Sequence, residues 1–221
     1  MINYVIVGAG GFGREVYNWL SDYAEKKYGP QNQAWQFKGY VDDNTDQKFD
    51  LPYYKIFSKI DDYIPEPDDR VLISIANPKI RKQIALKLKS TNAKFETLIH
   101  PNTYVLPGAK IGEGCIILQD CTISVNVEIG DFTIINSACG IGHDSKIGNF
   151  CELAPRVSVS GGCAVEDCVM LASHCVVCPG KSIGKYAKVS ACSSVIRNVK
   201  PGSFVQGVPG KETKNFFPVE D

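Results

Sequence analysis

The sequence predicts two structural units in series: a Rossmann-like α/β half-domain over residues 1–98, and a parallel β-helix of hexapeptide repeats over residues 99–221. Three observations carry this. An aliphatic residue returns at every sixth position from Val105 to Val195 without an insertion. The first hundred residues lack that period and alternate strand-like with helix-like runs. A glycine-rich turn, Gly8-Ala9-Gly10-Gly11-Phe12-Gly13, joins the first strand-like run to the first helical one.

In the first unit, Tyr4–Val7 reads as a short buried strand and Arg14 to about Lys27 as a helix. Gln36–Val41 reads as a second strand running into Asp42-Asp43. Val71–Ala76 is a continuous apolar strand, and Asn77-Pro78 starts a helix over Lys79–Lys89. Gly8, Gly10 and Gly13 fit the spacing that lets backbone N–H groups approach a phosphate at a positive helix end. A plain tight turn is the alternative. A complete dinucleotide site needs two βαβαβ halves, and this unit is too short for both, so one nucleotide, as in a nucleotide-sugar, fits better. Asp42 and Asp43 stand where they could accept from a ribose or base, or they belong to a solvated acidic loop with Asp46 and Asp50.

The join falls near Ile99-His100-Pro101. Beyond it the aliphatic phase is Val105, Ile111, Ile117, Ile123, Ile129, Ile135, Ile141, Ile147, Leu153, Val159, Val165, Leu171, Val177, Ile183, Val189 and Val195. Two residues before each comes a smaller one, and residues two apart on a strand face the same side. Each hexad thus sends one bulky and one small side chain inward, across a face of about 20 Å. Ile-Gly pairs at 111–112, 129–130, 141–142, 147–148 and 183–184 read as turn-tolerant. Six of the nine cysteines share the small inward phase and read as buried packing residues. A metal or redox use of His174-Cys175-Val176-Val177-Cys178 is the weaker reading, since no second Cys pair accompanies it.

Lys plus Arg balance Asp plus Glu at 24 each, so net charge points neither to nucleic acid nor to an anionic membrane. The start MINYVIVGAGG has no basic region and only a short apolar run, which predicts no secretory leader. No stretch is long enough to span a bilayer. With an odd number of cysteines, this favours a reducing cytoplasm over a disulfide framework.

Candidate chemistry sits at the solenoid corners. With three hexads per coil, residues 18 apart stack, and one corner ladder runs Val125, His143, Gly161, Pro179, Arg197. Another runs Pro155, Ser173, Ala191. His143 is outward, directly followed by Asp144, and faces no side chain on the next coil because that position is Gly161. An imidazole can serve as general base near neutrality, a carboxylate can fix its tautomer, and the Gly161 N–H can meet an oxyanion. Neighbouring strand residues point to opposite sides, so this pairing requires a bend. Seven of the ten Lys and Arg after residue 98 (Lys181, Lys185, Lys188, Arg197, Lys200, Lys211 and Lys214) crowd the far end of the solenoid against one acid, Glu212. That end suits the phosphates of coenzyme A, or it is a basic solvated cap.

The isoleucine-rich hexads, Gly142-His143-Asp144 and Gly207-Val208-Pro209-Gly210-Lys211 resemble the hexapeptide-repeat acyltransferases. Together with the glycine-rich turn, Asp42-Asp43 and Ile99-His100-Pro101, they resemble the branch that acetylates sugars, including UDP-4-amino-sugar N-acetyltransferases of bacillosamine-type pathways and sialic-acid O-acetyltransferases. The resemblance implies a left-handed solenoid and a homotrimer with sites between subunits. It implies acetyl-CoA as co-substrate, no metal, and a nucleotide-linked sugar acceptor. His143 becomes the general base and Asp144 its orienting acid. Gly161 contacts the thioester; Glu152, Ser173, Ala191 and Lys211 join it along acetyl-CoA. Gly10, Gly11, Phe12, Asp42, Asp43 and Ala76 line the acceptor site. Phe12 and Glu152 replace histidines common in the amino-sugar enzymes.

N-acetylation of a nucleotide-linked amino sugar is the leading expectation, O-acetylation of a sugar hydroxyl the nearest alternative. A non-catalytic nucleotide-sugar-binding scaffold is the alternative from another class. A zinc enzyme on the same solenoid would need His100, His143 and His174 to converge, and they lie at different hexad phases.

Overall fold

The computed structural model describes residues 1–29, 33–47 and 49–213. Lys214, one of the basic residues counted at the far end, lies outside them. The N-terminal module is a parallel sheet of four strands: β1 (Ile2–Val7), β2 (Trp35–Val41), β3 (Ile56–Ser58) and β4 (Asp69–Ile73), in the order β3-β2-β1-β4. Helix α1 (Gly11–Tyr28) links β1 to β2, and α2 (Pro78–Ser90) follows β4. Val5, Ile6 and Val7 are fully buried, as a central parallel strand covered on both faces requires.

Local chemistry sets the ends of these elements. Helix α1 starts three residues before the sequence expectation because Gly10 serves as its N-cap, its carbonyl accepting from Arg14 N. A Cβ on Gly13 would fall 1.9 Å from the Gly8 carbonyl oxygen, so only glycine lets the helix approach the strand this closely. Asn77 caps α2, accepting from the backbone N–H of Lys79 and Ile80, with Pro78 at the first helical position. β4 ends at Ile73, short of the expected Ala76. Ser74 Oγ donates to the carbonyls of Val7 and Gly8 and turns the chain into the crevice beside β1. β3, which has no period of its own, went unanticipated.

The solenoid is built from two-residue strands in three parallel sheets, with registers such as Ile117↔Ile135↔Leu153 repeating every 18 residues. Its first rung, Leu98–Ile99, pairs with Ile116–Ile117. One face carries Leu98, Ile116, Ile134, Glu152, Met170 and Lys188 outward and is the docked face, because the N-terminal module packs on it. The other two are a face of small outward residues (Thr122, Gly140, Ser158) and a charged face (Lys110, Glu128, Lys146). The aliphatic column from Ile117 to Val195 fills the axis, fully or nearly fully buried.

The turn chemistry differs from the expected Ile-Gly pairs. Positive φ falls two residues later: all fifteen positions at multiples of six from Gly108 to Cys192 are left-handed, glycine or not, Asp120, Asn126, Asp144 and Arg156 among them. Asn and Asp adopt this conformation readily. The glycine after the isoleucine answers to space: a Cβ on Gly142 would lie 2.4 Å from Gly161 N. Inward cysteines are buried as expected, but they also donate. Cys115, Cys139, Cys151 and Cys163 point Sγ at the carbonyl fifteen residues on, at 3.0–3.2 Å, just as Thr133 and Ser145 do with Oγ. Where the small phase carries Cys, Thr or Ser, the side chain thus adds a hydrogen bond that the Ala and Val at its other positions do not make. Burial pushes the Cys115, Cys151 and Cys175 thiols up to about 12, which keeps them protonated.

Polar and aromatic contacts join the units beside the apolar docked face. Fully buried Arg81 of α2 donates to the carbonyls of Ile75, Ala76, Phe132, Phe150 and Cys151. Phe132 and Phe150 stack 5.3 Å apart on neighbouring coils, and Phe95 meets Phe132 edge-on. Near the solenoid entrance His100 bridges Asp22 of α1 (Nε2 to Oδ2, 3.3 Å) and the backbone N–H of Asn102, with Trp19 against its ring.

Candidate active site

The edge between the small-residue face and the charged face is the one opposite the docked module, and His143 stands on it. Its side chain is 65% exposed. The bend demanded by the sequence is present: Asp144 has φ +59, so the strand alternation breaks there and both side chains leave on the same side. His143 Nδ1 and Asp144 Oδ2 are 2.8 Å apart. Hydrogen bonds from His143 and Asn126 hold the Asp144 carboxyl below its ordinary range, so it is an acceptor at neutral pH. The imidazole Nδ1–H then donates to it, leaving the Nε2 lone pair as the site of proton uptake.

Asn126, one coil below, completes the arrangement: its Nδ2 donates to Asp144 Oδ1 at 3.1 Å. Sequence reasoning missed this residue, although it stands 18 positions before Asp144 in the same ladder. Gly161 is on the coil above. The space it leaves is taken up by the imidazole, since a Cβ there would stand 2.6 Å from Nε2. Among the described residues nothing accepts a hydrogen bond from the Gly161 N–H. At the edge between the charged and docked faces the equivalent N–H groups of Asp131 and Asn149 are each capped by a side chain of the next coil. Along this edge the next coil offers Pro179. Nε2 thus stands beside Gly161, whose N–H has no acceptor among the described residues; a base and a backbone donor are the parts that acyl transfer uses.

Farther along the same edge a cavity of 410 Å³ is lined by Arg197, Asn198, Gly210, Lys211 and Glu212. It gathers Lys211 and Arg197 from the basic end. Ser173 (half-buried) and Ala191 (exposed) stand at a different edge, after the docked face, so a single chain does not bring them to His143. Glu152 is also elsewhere. It projects from the docked face, is buried, and its Oε2 lies 3.8 Å from Arg81 Nη1. The expectation that it touches acetyl-CoA is corrected accordingly: α2 of its own chain covers it. Burial raises its carboxyl to about 7, against the opposing pull of Arg81. Within the described residues no three His, Cys, Asp or Glu side chains gather in a metal-holding group, and no helix is long and apolar enough to cross a membrane.

The expected acceptor residues gather at the carboxyl ends of β1, β2 and β4. In the order β3-β2-β1-β4 the connections reverse direction between β1 and β4, the crevice where open α/β sheets bind ligands. Gly10, Gly11 and Ala76 flank it, and Gly10 has open space above it. Neither α1 nor α2 has an acid in its first turn. Asp42 is partly committed, since its Oδ2 accepts from Ala9 N at 2.7 Å and its Oδ1 from Asn44 N. Asp43 accepts from Ile60 N. Phe12 packs onto the module's apolar cluster.

Two family models match the chain: the PglD N-terminal domain over residues 3–88, and the GMPPB C-terminal domain over residues 84–195. The chain belongs to the PglD-type hexapeptide-repeat sugar N-acetyltransferases. A GDP-perosamine N-acetyltransferase of Escherichia coli O157:H7 is 29% identical over 220 residues, covering 96% of each chain. The crystal structure of PerB from Caulobacter crescentus, in complex with CoA and GDP-perosamine, superposes with a TM-score of 0.85 at 25% identity, covering 96% of this chain and 97% of that one. The acetyltransferase domain of PglB from Neisseria gonorrhoeae shares the fold at 18% identity, with a TM-score of 0.85 and coverage of 96% and 100%.

Proposed function

We propose that this protein transfers the acetyl group of acetyl-CoA to the amino group of a nucleotide-linked amino sugar, of the kind its GDP-perosamine relatives use. The observation that carries the reading is the pairing of His143 with ionised Asp144, which leaves Nε2 beside Gly161 on an exposed edge. The acceptor amine attacks the thioester carbonyl while Nε2 takes its proton. The Gly161 N–H receives the oxyanion, and collapse expels the CoA thiolate, which recovers a proton from the imidazolium. No covalent enzyme intermediate is involved.

The coenzyme lies along the His143 edge, with its phosphates toward Arg197 and Lys211 in the end cavity. The nucleotide of the acceptor occupies the β1–β4 crevice. That crevice rests on the docked face and His143 on the opposite edge, so one chain cannot close the site. A second copy brings its edge to the crevice of the first, as in a homotrimer with sites between subunits. This also lets Ser173 and Ala191 of one copy approach the coenzyme held by another.

The test is thiol release from acetyl-CoA with UDP-, GDP- and dTDP-linked amino sugars and their deaminated counterparts. Release with an amino sugar alone supports the reading. Release only with hydroxyl acceptors, or with none, overturns it.

A further inference from the structure

Arg81 is fully buried where α2 meets both the crevice and the solenoid. A guanidinium carries five N–H donors, and here all five are engaged by carbonyl oxygens. Nε donates to Phe132 (2.8 Å), Nη2 to Phe150 and Cys151 (2.8 and 2.9 Å), and Nη1 to Ile75 and to Ala76 (2.8 Å). The first three acceptors lie on neighbouring solenoid coils. The last two belong to the chain between β4 and α2, which forms the β4 side of the crevice. The β1–β4 ladder stops at the bond from Ser74 N to the Val7 carbonyl, and among the described residues no backbone N–H donates to the Ile75 or Ala76 carbonyl. Arg81 therefore holds this wall, and it holds it from the solenoid.

Glu152 lies against the same guanidinium. It is buried on the docked face, its Oε2 is 3.8 Å from Arg81 Nη1, and among the described residues that oxygen has no hydrogen-bond partner. The count of donors explains this, because no N–H of Arg81 is left for it. A neutral carboxyl tolerates such a position far better than a carboxylate does. Burial raises the group to about 7 against the pull of Arg81, so the arrangement is that of the protonated acid. Once ionised, the carboxylate gains most by drawing in the nearest donor, Nη1, and the bonds withdrawn are those to Ile75 and Ala76. Along the rung from Glu152 come Met170 and then Lys188. The Cys115, Cys151 and Cys168 thiols act on Arg81, and burial raises all three, so they stay protonated. From α2, Lys79 acts on Lys188 and Lys82 on Cys168.

We propose that Arg81 is a positioning residue for the acceptor, holding the Ile75–Ala76 wall of the crevice in place from the solenoid, and that ionisation of Glu152 loosens this hold. The inference rests on the reading of the β1–β4 crevice as the nucleotide site. It adds a coupling that the crevice alone does not have: acceptor affinity falls as pH rises through neutrality, with Glu152 as the group that titrates. Ala76 is exposed in the crevice while its carbonyl is tied to a fully buried side chain. A change of charge on Glu152 thus reaches the ligand without Glu152 touching it.

Calorimetry of nucleotide-sugar binding, without CoA or turnover, tests this. UDP-, GDP- and dTDP-glucose are the probes, because their diphosphate diesters do not titrate between about pH 6 and pH 8.5. Whichever of them the wild-type protein binds should bind about three- to tenfold more weakly at the higher pH. In Glu152→Gln that difference should shrink below about twofold, with affinity at both pH values close to that of wild type at the lower one. Arg81→Lys keeps the charge but cannot reach all the acceptors, and should bind about tenfold or more weakly at about pH 6. A thermal melt checks its fold; should it fail to fold, the Glu152 comparison decides alone, since that variant leaves every Arg81 donor in place. For CoA, the ratio of wild-type to Glu152→Gln affinity should not change with pH. A wild-type affinity that is flat with pH, a pH dependence that survives in Glu152→Gln, an equal pH step in the CoA ratio, or a folded Arg81→Lys variant that binds like wild type would each overturn the proposal. Wild-type protein that binds none of the three probes would overturn the crevice reading itself, and the proposal with it.

Discussion

Two imidazole–carboxylate pairs occur among the described residues, and their surroundings separate them. His143 and Asp144 sit on the free edge, both more than half exposed, with Nε2 turned to Gly161 and an available backbone donor. His100 is 4% exposed, and both its nitrogens are spent, Nδ1 accepting from Asn102 N and Nε2 bridging to Asp22. The first ring can exchange a proton with something outside the protein; the second latches α1 to the solenoid entrance. A His beside an acid is therefore not a catalytic signature by itself. What decides is whether the second nitrogen is left over.

Substitutions sharpen this contrast. His143→Ala should lower kcat by about 10²–10⁴ while acetyl-CoA affinity, read by calorimetry, stays within a few-fold. Wild-type turnover in the folded variant would erase the distinction. Asp144→Asn removes the charged acceptor for Nδ1–H and should cost about 10–100-fold in kcat; a change confined to KM would assign Asp144 to binding.

Next in size is Glu152→Gln, read as stability. The Glu152 carboxyl is raised in the fold from 4.5 to about 7, so the folded state holds a proton that the unfolded chain releases. Its favourable contribution is present below about pH 4.5 and is lost as pH rises through 7. The Gln variant should accordingly be about 1–3 kcal/mol more stable than wild type at pH 8, with the gap closing toward pH 4.5. A gap that does not vary with pH in denaturant melts would refute the buried acid.

His100→Ala should lose about 1–2 kcal/mol of stability with kcat intact, the inverse of His143→Ala. The smallest effect belongs to Asn126→Ala: about 2–10-fold in kcat, because Asp144 keeps its hydrogen bond to His143.

The solenoid was legible because its repeat is its structure: each hexad meets the same neighbours, so a pattern of size in sequence becomes a pattern of burial. Left-handed corners were not, since Phe132, Arg156 and Cys168 adopt positive φ under the constraint of the coil, against their own preferences. The His143–Asp144–Gly161 cluster was readable from the 18-residue spacing. Asn126 obeyed the same spacing but carries no reactive group to draw attention to it. Glu152 was misplaced because its surroundings come from α2, some seventy positions earlier, and no local pattern reports a contact at that separation. The structure places the residues expected at the crevice together at the carboxyl ends of β1, β2 and β4. That Asp42 spends an oxygen on the Ala9 N–H follows from the path of the turn, which residue spacing does not encode.

The central claim is that the imidazole edge of one chain serves the nucleotide crevice of another. Co-assembly of two inactive variants tests it: His143→Ala, and Gly10→Trp, which fills the open space above the α1 N-terminus. Refolded together in equal amounts, they should recover about a quarter of the wild-type acetyl-transfer rate, since one site in four draws an intact imidazole and an intact crevice from different chains. Mixtures as inactive as the separate variants, although mass spectrometry shows mixed oligomers, would contradict a shared site.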